Sequence, residues 1–130
     1  SKPRPSLHVH PITSAVTHNA ANIAEAIQAK LVVVATRTGG TAWVKAKQRN
    51  YIPTLGVSNS EATLRRMCLF WGIMPHQVTQ LDNPETLVDD VTKWGKSTGV
   101  LSAGDRVVFV TGTGLLNQTH NLVFVNEVPK

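Results

Sequence analysis

The chain has 130 residues, of which 42% are hydrophobic and 16% charged, a balance typical of one folded domain rather than of a disordered chain. Its formal net charge is +5, but the lysines and arginines are scattered and only 5% of residues are aromatic, which argues against a nucleic-acid partner. No apolar run approaches the ~20 residues of a membrane span, and the polar start at 1–10 is predicted to be a tail or linker. The single cysteine excludes an internal disulfide and is typical of a reducing compartment, so we expect a cytoplasmic protein without membrane contact.

The first part of the chain is predicted to form two helices and two buried strands. Apolar residues at helical spacing predict a helix over 11–30. Its predicted inner face consists of Ile12, Ala15, Val16, Ala20, Ile23, Ala24 and Ile27. Residues 31–35 form a continuous apolar run, which is typical of a strand covered on both faces. A short helix is predicted over 41–48 and a buried strand over 52–57, where Pro53 weakens the strand or places it toward a sheet edge.

A capping pattern marks the next helix. Ser58 is its predicted N-cap, because Glu61 follows three residues later as in a capping box. The helix is predicted over 60–71 and ends at Gly72. Its predicted inner face, which makes the cysteine a core residue rather than a nucleophile, consists of Leu64, Met67, Cys68 and Trp71.

The last part of the chain is predicted to contain three strands and one helix. After a short strand over 73–78, Asn83 and Pro84 cap and begin a helix that ends near Gly99. Its predicted inner face consists of Leu87, Val88, Val91 and Trp94. Strands are predicted over 106–111 and 121–128, and because no helix separates them the last strand is expected to be antiparallel to its neighbour.

The alternation of helices and buried strands predicts an α/β fold. We expect a three-layer α/β/α sandwich over 11–130, with a five-stranded, mostly parallel sheet whose last strand is antiparallel. Ligands of such sheets bind outside the carboxyl ends of the strands. Two of these ends lead into loops rich in threonine and glycine, at 36–41 and 111–114.

The loop after the first strand carries the strongest functional signal. It consists of Thr36, Arg37, Thr38, Gly39, Gly40 and Thr41. Glycines let backbone N–H groups approach an anion, threonines add hydroxyls, and the arginine can add a charge-assisted hydrogen bond. The loop is not a Walker A sequence, and an ordinary strand-to-helix turn is the alternative interpretation. We predict a phosphate-binding loop whose site is completed by Gly112, Thr113 and Gly114.

Neither a catalytic residue nor a metal site is predicted. The five histidines lack the spacing of metal ligands. Asp89 and Asp90 are interpreted as a solvated helix face rather than as an acid/base pair.

Taken in order, these motifs resemble the C-terminal domain of pyruvate kinases. Residues 36–42 look like its Thr-x-Ser/Thr-Gly-x-Ser/Thr-Ala motif, and residues 69–75 look like its Leu-x-Trp/Arg-Gly-Val-x-Pro segment. Residues 104–108 and 111–112 look like its Gly-Asp-x-Val-Val and Thr/Ser-Gly ending. The matches cover nearly the whole chain after about residue 15.

The resemblance implies a regulatory and subunit-contact domain of the glycolytic enzyme that transfers phosphate from phosphoenolpyruvate to ADP. In that family the active site, with its magnesium and potassium, belongs to a barrel and a small cap domain. The resemblance therefore implies that this chain alone is inactive and holds no cofactor. It also implies a phosphorylated effector at 36–41, contact with the catalytic domains of the same enzyme, and self-association through the last strand.

The chain departs from the family pattern at two places that bear on the ligand. Gly40 stands where the family often has a larger residue, and the loop from Gly114 to Asn121 is shorter than in many members. A smaller phosphorylated effector than a sugar bisphosphate, or no effector, therefore stays open. So do two other functions, a free-standing regulatory protein that binds a phosphorylated ligand and a small enzyme that acts on a phosphorylated substrate.

Overall fold

The computed structural model of the chain describes residues 11–37, 52–70, 72–111 and 122–130. These ranges contain, in chain order, α1 (Pro11–Ala26), β1 (Leu31–Ala35), β2 (Thr54–Ser58), α2 (Glu61–Met67), β3 (Ile73–Gln77), α3 (Pro84–Thr98), β4 (Arg106–Thr111) and β5 (Leu122–Glu127). Each helix and strand predicted within these ranges is present, with shifted ends. The predicted helix over 41–48 lies outside the described residues.

The strands form one five-stranded sheet with the spatial order β3-β2-β1-β4-β5. The central strand β1 pairs in parallel with both β2 and β4, and β2 pairs in parallel with β3. Only the pairing of β4 with β5 is antiparallel. The prediction of a mostly parallel sheet with an antiparallel last strand is confirmed.

The sheet is covered on both faces, which explains the uninterrupted apolar sequence of β1. Leu31 and Val33 belong to a hydrophobic cluster that includes Leu87 of α3. Val32 belongs to a second cluster, which includes Met67 of α2 and residues of α1. The helices α2 and α3 thus cover opposite faces, as right-handed crossovers in opposite directions across the sheet require. The predicted three-layer α/β/α sandwich is confirmed.

The inner face of α1 differs from the predicted one because the helix packs through small residues. Ala20 and Ala24 are buried as predicted, but Ala15 is exposed and Ile23 keeps 38% of its surface accessible. Two further buried residues complete the inner face, Thr17 and Ala21. The inner face predicted from apolar spacing is therefore rotated about the helix axis relative to the observed one. The small side chains that allow close packing carry a weak hydrophobic signal.

The helix α1 ends at Ala26, earlier than predicted, in a Schellman motif. The N–H of Ala29 donates to the carbonyl of Ala24 at 2.9 Å, and the N–H of Gln28 donates to the carbonyl of Glu25 at 3.2 Å. Gln28 has a φ of 56°, in the left-handed region that favours glycine. The chain then enters β1 after this turn.

Replacing Gln28 by glycine is expected to raise the free energy of unfolding by about 0.5–1 kcal/mol. A side chain costs roughly 1–2 kcal/mol in the left-handed region, and the greater freedom of glycine in the unfolded chain offsets part of the gain. Urea denaturation measures the change. The matched control is Gln80→Gly, at an exposed glutamine without a positive φ, which is expected to lose stability. Unchanged or reduced stability of Gln28→Gly would contradict the expected strain.

The prolines near β2 and β3 act differently from the sequence prediction. The strand β2 begins at Thr54, so Pro53 precedes it and does not place it at an edge; β2 lies between β1 and β3. The true edge strand β3 contains Pro75. The N–H of Val78 donates to Ser58 of β2, and since directions alternate along a strand, Pro75 lies at the outward position, where its missing N–H costs no hydrogen bond of the sheet.

Two predictions about α2 are wrong. The N-cap is Ser60, whose side chain accepts from the N–H of Thr63, whereas Ser58 ends β2 and its Oγ accepts from the N–H of Ser60 at 3.2 Å. The helix ends at Met67, and Cys68 is exposed rather than part of the core, because the inner face is centred on the buried Thr63 and Met67 and Cys68 lies to one side of it. Met67 is buried and Leu64 is half-buried, as expected for the inner face. Trp71 lies outside the described residues.

The prediction for α3 is confirmed at both ends. Asn83 is the N-cap and accepts from the N–H groups of two residues of the first turn, Pro84 follows it, and Gly99 ends the helix with a φ of 80°. The residues Leu87 and Val91 are buried, and two more residues packed against the core are Val88 and Trp94. The capping residues alone therefore located this helix.

Candidate functional site

The end of the central strand β1 is held by its neighbours. Thr36, which follows the strand, is 2% exposed, and its N–H donates to the carbonyl of Val57 at 3.0 Å. The side chain of Arg37 is exposed, while its carbonyl accepts a hydrogen bond from the hydroxyl of Thr63 at 2.5 Å. The backbone is thus fixed on the side of α2, and the guanidinium group faces solvent.

The end of β4 lies directly beside the end of β1. Thr111, the last residue of β4, is paired with Ala35, the last residue of β1. Thr111 is buried, and its Oγ accepts from the N–H of Leu122 at 3.1 Å and donates to the carbonyl of the same residue at 3.4 Å. Adjacent strands lie about 4.8 Å apart, so the two threonine- and glycine-containing loops begin as immediate neighbours.

These two strand ends flank the point where the strand order reverses. From β1 the sheet extends to β2 and β3 on one side and to β4 and β5 on the other. In open α/β sheets, ligands bind in the crevice that this reversal creates outside the carboxyl ends of the strands. The position of Thr36 and Arg37 is therefore the one at which this fold class commonly binds a ligand.

Buried hydroxyl groups concentrate at the same edge of the sheet. Four of the buried polar side chains among the described residues lie there, at Thr36, Ser58, Thr63 and Thr111. The hydroxyls of Ser58, Thr63 and Thr111 form hydrogen bonds with backbone groups at or next to the ends of strands. These bonds hold the strand ends in place. The sequence prediction missed Thr63, which belongs to no recognisable motif, and it gave Ser58 the role of helix N-cap, which Ser60 has.

The described residues that directly follow the parallel strands β1, β2 and β3 contain one positive charge, that of Arg37. Seven of the predicted site residues lie outside the described residues: Thr38, Gly39, Gly40, Thr41, Gly112, Thr113 and Gly114. The structure therefore locates Thr36, Arg37 and the start of the second loop.

One other surface feature lies at the opposite end of the central strand. An open depression of about 710 Å³ lies near the amino end of β1 and is lined by Glu25, Gln28, Ala29, Lys30 and Ile52. We place the candidate site at the carboxyl edge, where the strand order reverses and the buried hydroxyls gather. Among the described residues, no three histidine, cysteine, aspartate or glutamate side chains are placed to hold a metal ion. No helix in those ranges is long and apolar enough to cross a membrane.

The strand order and the helices on both faces define a doubly wound α/β domain. Residues 14–126 match the family described as "Pyruvate kinase, alpha/beta domain". The chain is 32% identical over 126 residues to the pyruvate kinase of Chlamydia muridarum, covering 95% of this chain and 26% of the relative. It is 34% identical over 103 residues to that of Agrobacterium vitis, covering 79% and 22%.

Solved structures show the same fold. A structure described as Cryptosporidium parvum pyruvate kinase in complex with ADP has a TM-score of 0.83 and 20% identity, covering 98% of this chain and 25% of that chain. The chain belongs to the pyruvate kinase family and corresponds to its alpha/beta domain. It spans about a quarter of the length of these two curated relatives. The sequence-based resemblance is confirmed.

Proposed function

We propose that this chain serves as the C-terminal regulatory and subunit-contact domain of a pyruvate kinase and binds a phosphorylated effector at residues 36–41. The observation that carries the proposal is the adjacency of the ends of β1 and β4 at the reversal of strand order. In the full enzyme, phosphate would pass from phosphoenolpyruvate to ADP with magnesium and potassium held by other domains.

The chemistry of this edge supports an anionic ligand. Arg37 places an exposed guanidinium beside strand ends that are otherwise lined by hydroxyls, and the following residues bring two glycines and two threonines. Guanidinium groups pair with phosphate through two parallel hydrogen bonds, and hydroxyl and backbone N–H groups donate to the remaining oxygens. A phosphate monoester fits this set of donors better than an apolar ligand does.

The regulatory step in this proposal is a change in the second loop. Phosphate at 36–41 would order the neighbouring loop at 111–114, because both begin at paired strand ends. That loop leads into β5, whose Leu122 and Val125 are exposed at the outer strand of the sheet. Ordering it would bias the packing of subunits through β5, and the ligand would shift the equilibrium by its difference in affinity for the two arrangements.

The proposal predicts that Arg37→Gln weakens the binding of phosphorylated ligands at least about tenfold, since a charged hydrogen bond contributes roughly 1.5–3 kcal/mol. Calorimetric titration with a panel of sugar phosphates and nucleotides measures the affinity, and Thr38→Ala tests a second predicted donor. Lys30→Gln is the matched control: it removes the same charge at the other end of β1, about 23 Å of extended strand away.

Binding that falls in Arg37→Gln but not in Lys30→Gln would support the effector site. No heat with any phosphorylated ligand, or equal loss in both charge variants, would contradict it. The genomic reading frame tests the alternative of a free-standing regulatory protein. Sequence of the catalytic barrel upstream of Ser1 would exclude that alternative. The chain alone is expected to show no turnover of phosphoenolpyruvate.

A further inference from the structure

A side chain of α2 reaches the end of β1 through the hydrogen bond between Thr63 and Arg37. The two residues are 26 positions apart in sequence, and Thr63 is 1% exposed. Its hydroxyl donates to the carbonyl of the exposed Arg37, while its own N–H donates to the N-cap Ser60 at 3.3 Å. The side chain therefore joins a buried position of the helix to the first exposed peptide unit of the loop.

The bond is held firmly on the side of α2. The N-cap Ser60 is itself tied to β2, because its N–H donates to Ser58 at 3.2 Å. One turn beyond Thr63, the helix is seated on the sheet by Met67, which packs over Gly56: a Cβ on this glycine would lie 2.5 Å from the Met67 sulfur. The hydroxyl of Thr63 consequently acts as a fixed donor rather than a mobile one.

A fixed donor on a carbonyl orients a whole peptide unit. The peptide unit is planar, so holding its carbonyl fixes the backbone of Arg37, from which the guanidinium group extends. A site binds an anion more tightly when its donors are positioned before the anion arrives.

We propose that Thr63 is a positioning residue for the effector loop: its hydroxyl holds the Arg37 carbonyl and thereby fixes the backbone from which the Arg37 side chain reaches a phosphate. The inference rests on the proposed phosphate site at 36–41 and adds to it a residue of α2 that does not touch the ligand. The affinity of the loop for phosphate then depends on how the helix α2 packs on the sheet.

The test compares two substitutions that separate the hydroxyl from the volume of the side chain. Thr63→Val keeps the shape and removes the hydroxyl, and Thr63→Ser removes a methyl group and keeps the hydroxyl. Inorganic phosphate is titrated into the ¹⁵N-labelled chain, and its dissociation constant is read from amide shifts. We expect phosphate binding to weaken about fivefold in Thr63→Val and to stay within about twofold of the original in Thr63→Ser.

Thr54→Val is the matched control. Thr54 is also a buried threonine whose hydroxyl donates to a backbone carbonyl, that of Ile52 at 3.4 Å, but it lies at the amino end of β2. We expect this variant to lose stability in urea denaturation while its phosphate affinity stays unchanged. If phosphate affinity falls in Thr63→Val and not in Thr54→Val, lower stability in general does not explain the loss.

The outcomes distinguish this inference from the function on which it rests. If the unmodified chain binds phosphate and Arg37→Gln weakens it, while Thr63→Val binds as well as the unmodified chain, the role of Thr63 is wrong and the site stands. Weaker binding in Thr63→Ser than in Thr63→Val would mean that packing matters and the hydroxyl does not, which also overturns the inference. If the unmodified chain shows no phosphate-dependent shifts, both the site and the role of Thr63 are wrong. Should Thr63→Val not fold, Thr63→Ala against Thr63→Ser makes the same comparison.

Discussion

Phe109→Ala is expected to lower the free energy of unfolding by about 3–5 kcal/mol, the usual cost of removing a buried aromatic side chain. Phe109 lies in the middle of β4, is 1% exposed, and belongs to the cluster between the sheet and α3. Its ring stacks on that of Phe124 of β5, with centroids 4.8 Å apart and planes at 3°. Since domains of this size have about 5–15 kcal/mol of stability in all, the variant is expected to be partly unfolded near 37 °C.

Urea denaturation of the single and double variants at Phe109 and Phe124 measures this effect and separates the stacking from the burial. Phe124→Ala, at a half-buried position, is the internal comparison and should cost less. The coupling energy between the two rings is expected to be about 0.5–1.5 kcal/mol. A loss below about 1 kcal/mol in Phe109→Ala would mean that the described core is wrong at this position.

Gly95→Ala is expected to destabilise the chain by about 2 kcal/mol, although alanine is the better helix former by about 1 kcal/mol. A Cβ at Gly95 would collide with the side chain of Leu101, coming within 2.5 Å of its Cγ and 2.7 Å of its Cβ. Rotation of the leucine cannot move its own Cβ, and its backbone is held by the hydrogen bond from its N–H to the Gly95 carbonyl at 3.0 Å. The turn after α3 must therefore shift away from the helix.

The control for this prediction is Lys96→Ala, at the exposed neighbouring position of the same helix, where a change of at most about 0.5 kcal/mol is expected. Thermal or urea unfolding distinguishes the two variants. A second comparison is Gly95→Ala with Leu101→Ala, since removing the leucine side chain beyond Cβ should relieve part of the collision. Increased stability of Gly95→Ala alone would show that helix propensity outweighs the close contact.

Local signals predicted most of the fold correctly. Asn83, Pro84 and Gly99 located α3 because each acts on the backbone of its own helix end. The uninterrupted apolar run of β1 indicated a central strand, since only a strand covered on both faces has no polar alternation. Ser58 and Ser60 could not be told apart, because either serine can cap a helix and the end of β2 decided which one does.

The candidate site was predictable only in its sequence-local part. The motif identified Thr36 and Arg37 and the parallel strands placed them at the carboxyl edge. The support from Thr63 was not predictable, because a hydrogen bond over 26 residues depends on where α2 packs and leaves no pattern in the sequence. Cys68 was misplaced for a related reason: the packing of α2 centres its inner face on Thr63 and Met67, which leaves Cys68 to one side although its backbone is still helical.

The two edges of the sheet differ in a way that limits how copies of the chain can assemble. The outward position of β3 is occupied by Pro75, which offers no N–H to a further strand, whereas β5 contains no proline and exposes Leu122 and Val125. If subunits pair through β5, each copy uses up the edge that accepts a partner and leaves β3 at both outer ends. The joined sheet would end there, so pairing through β5 would give closed pairs rather than fibrous growth.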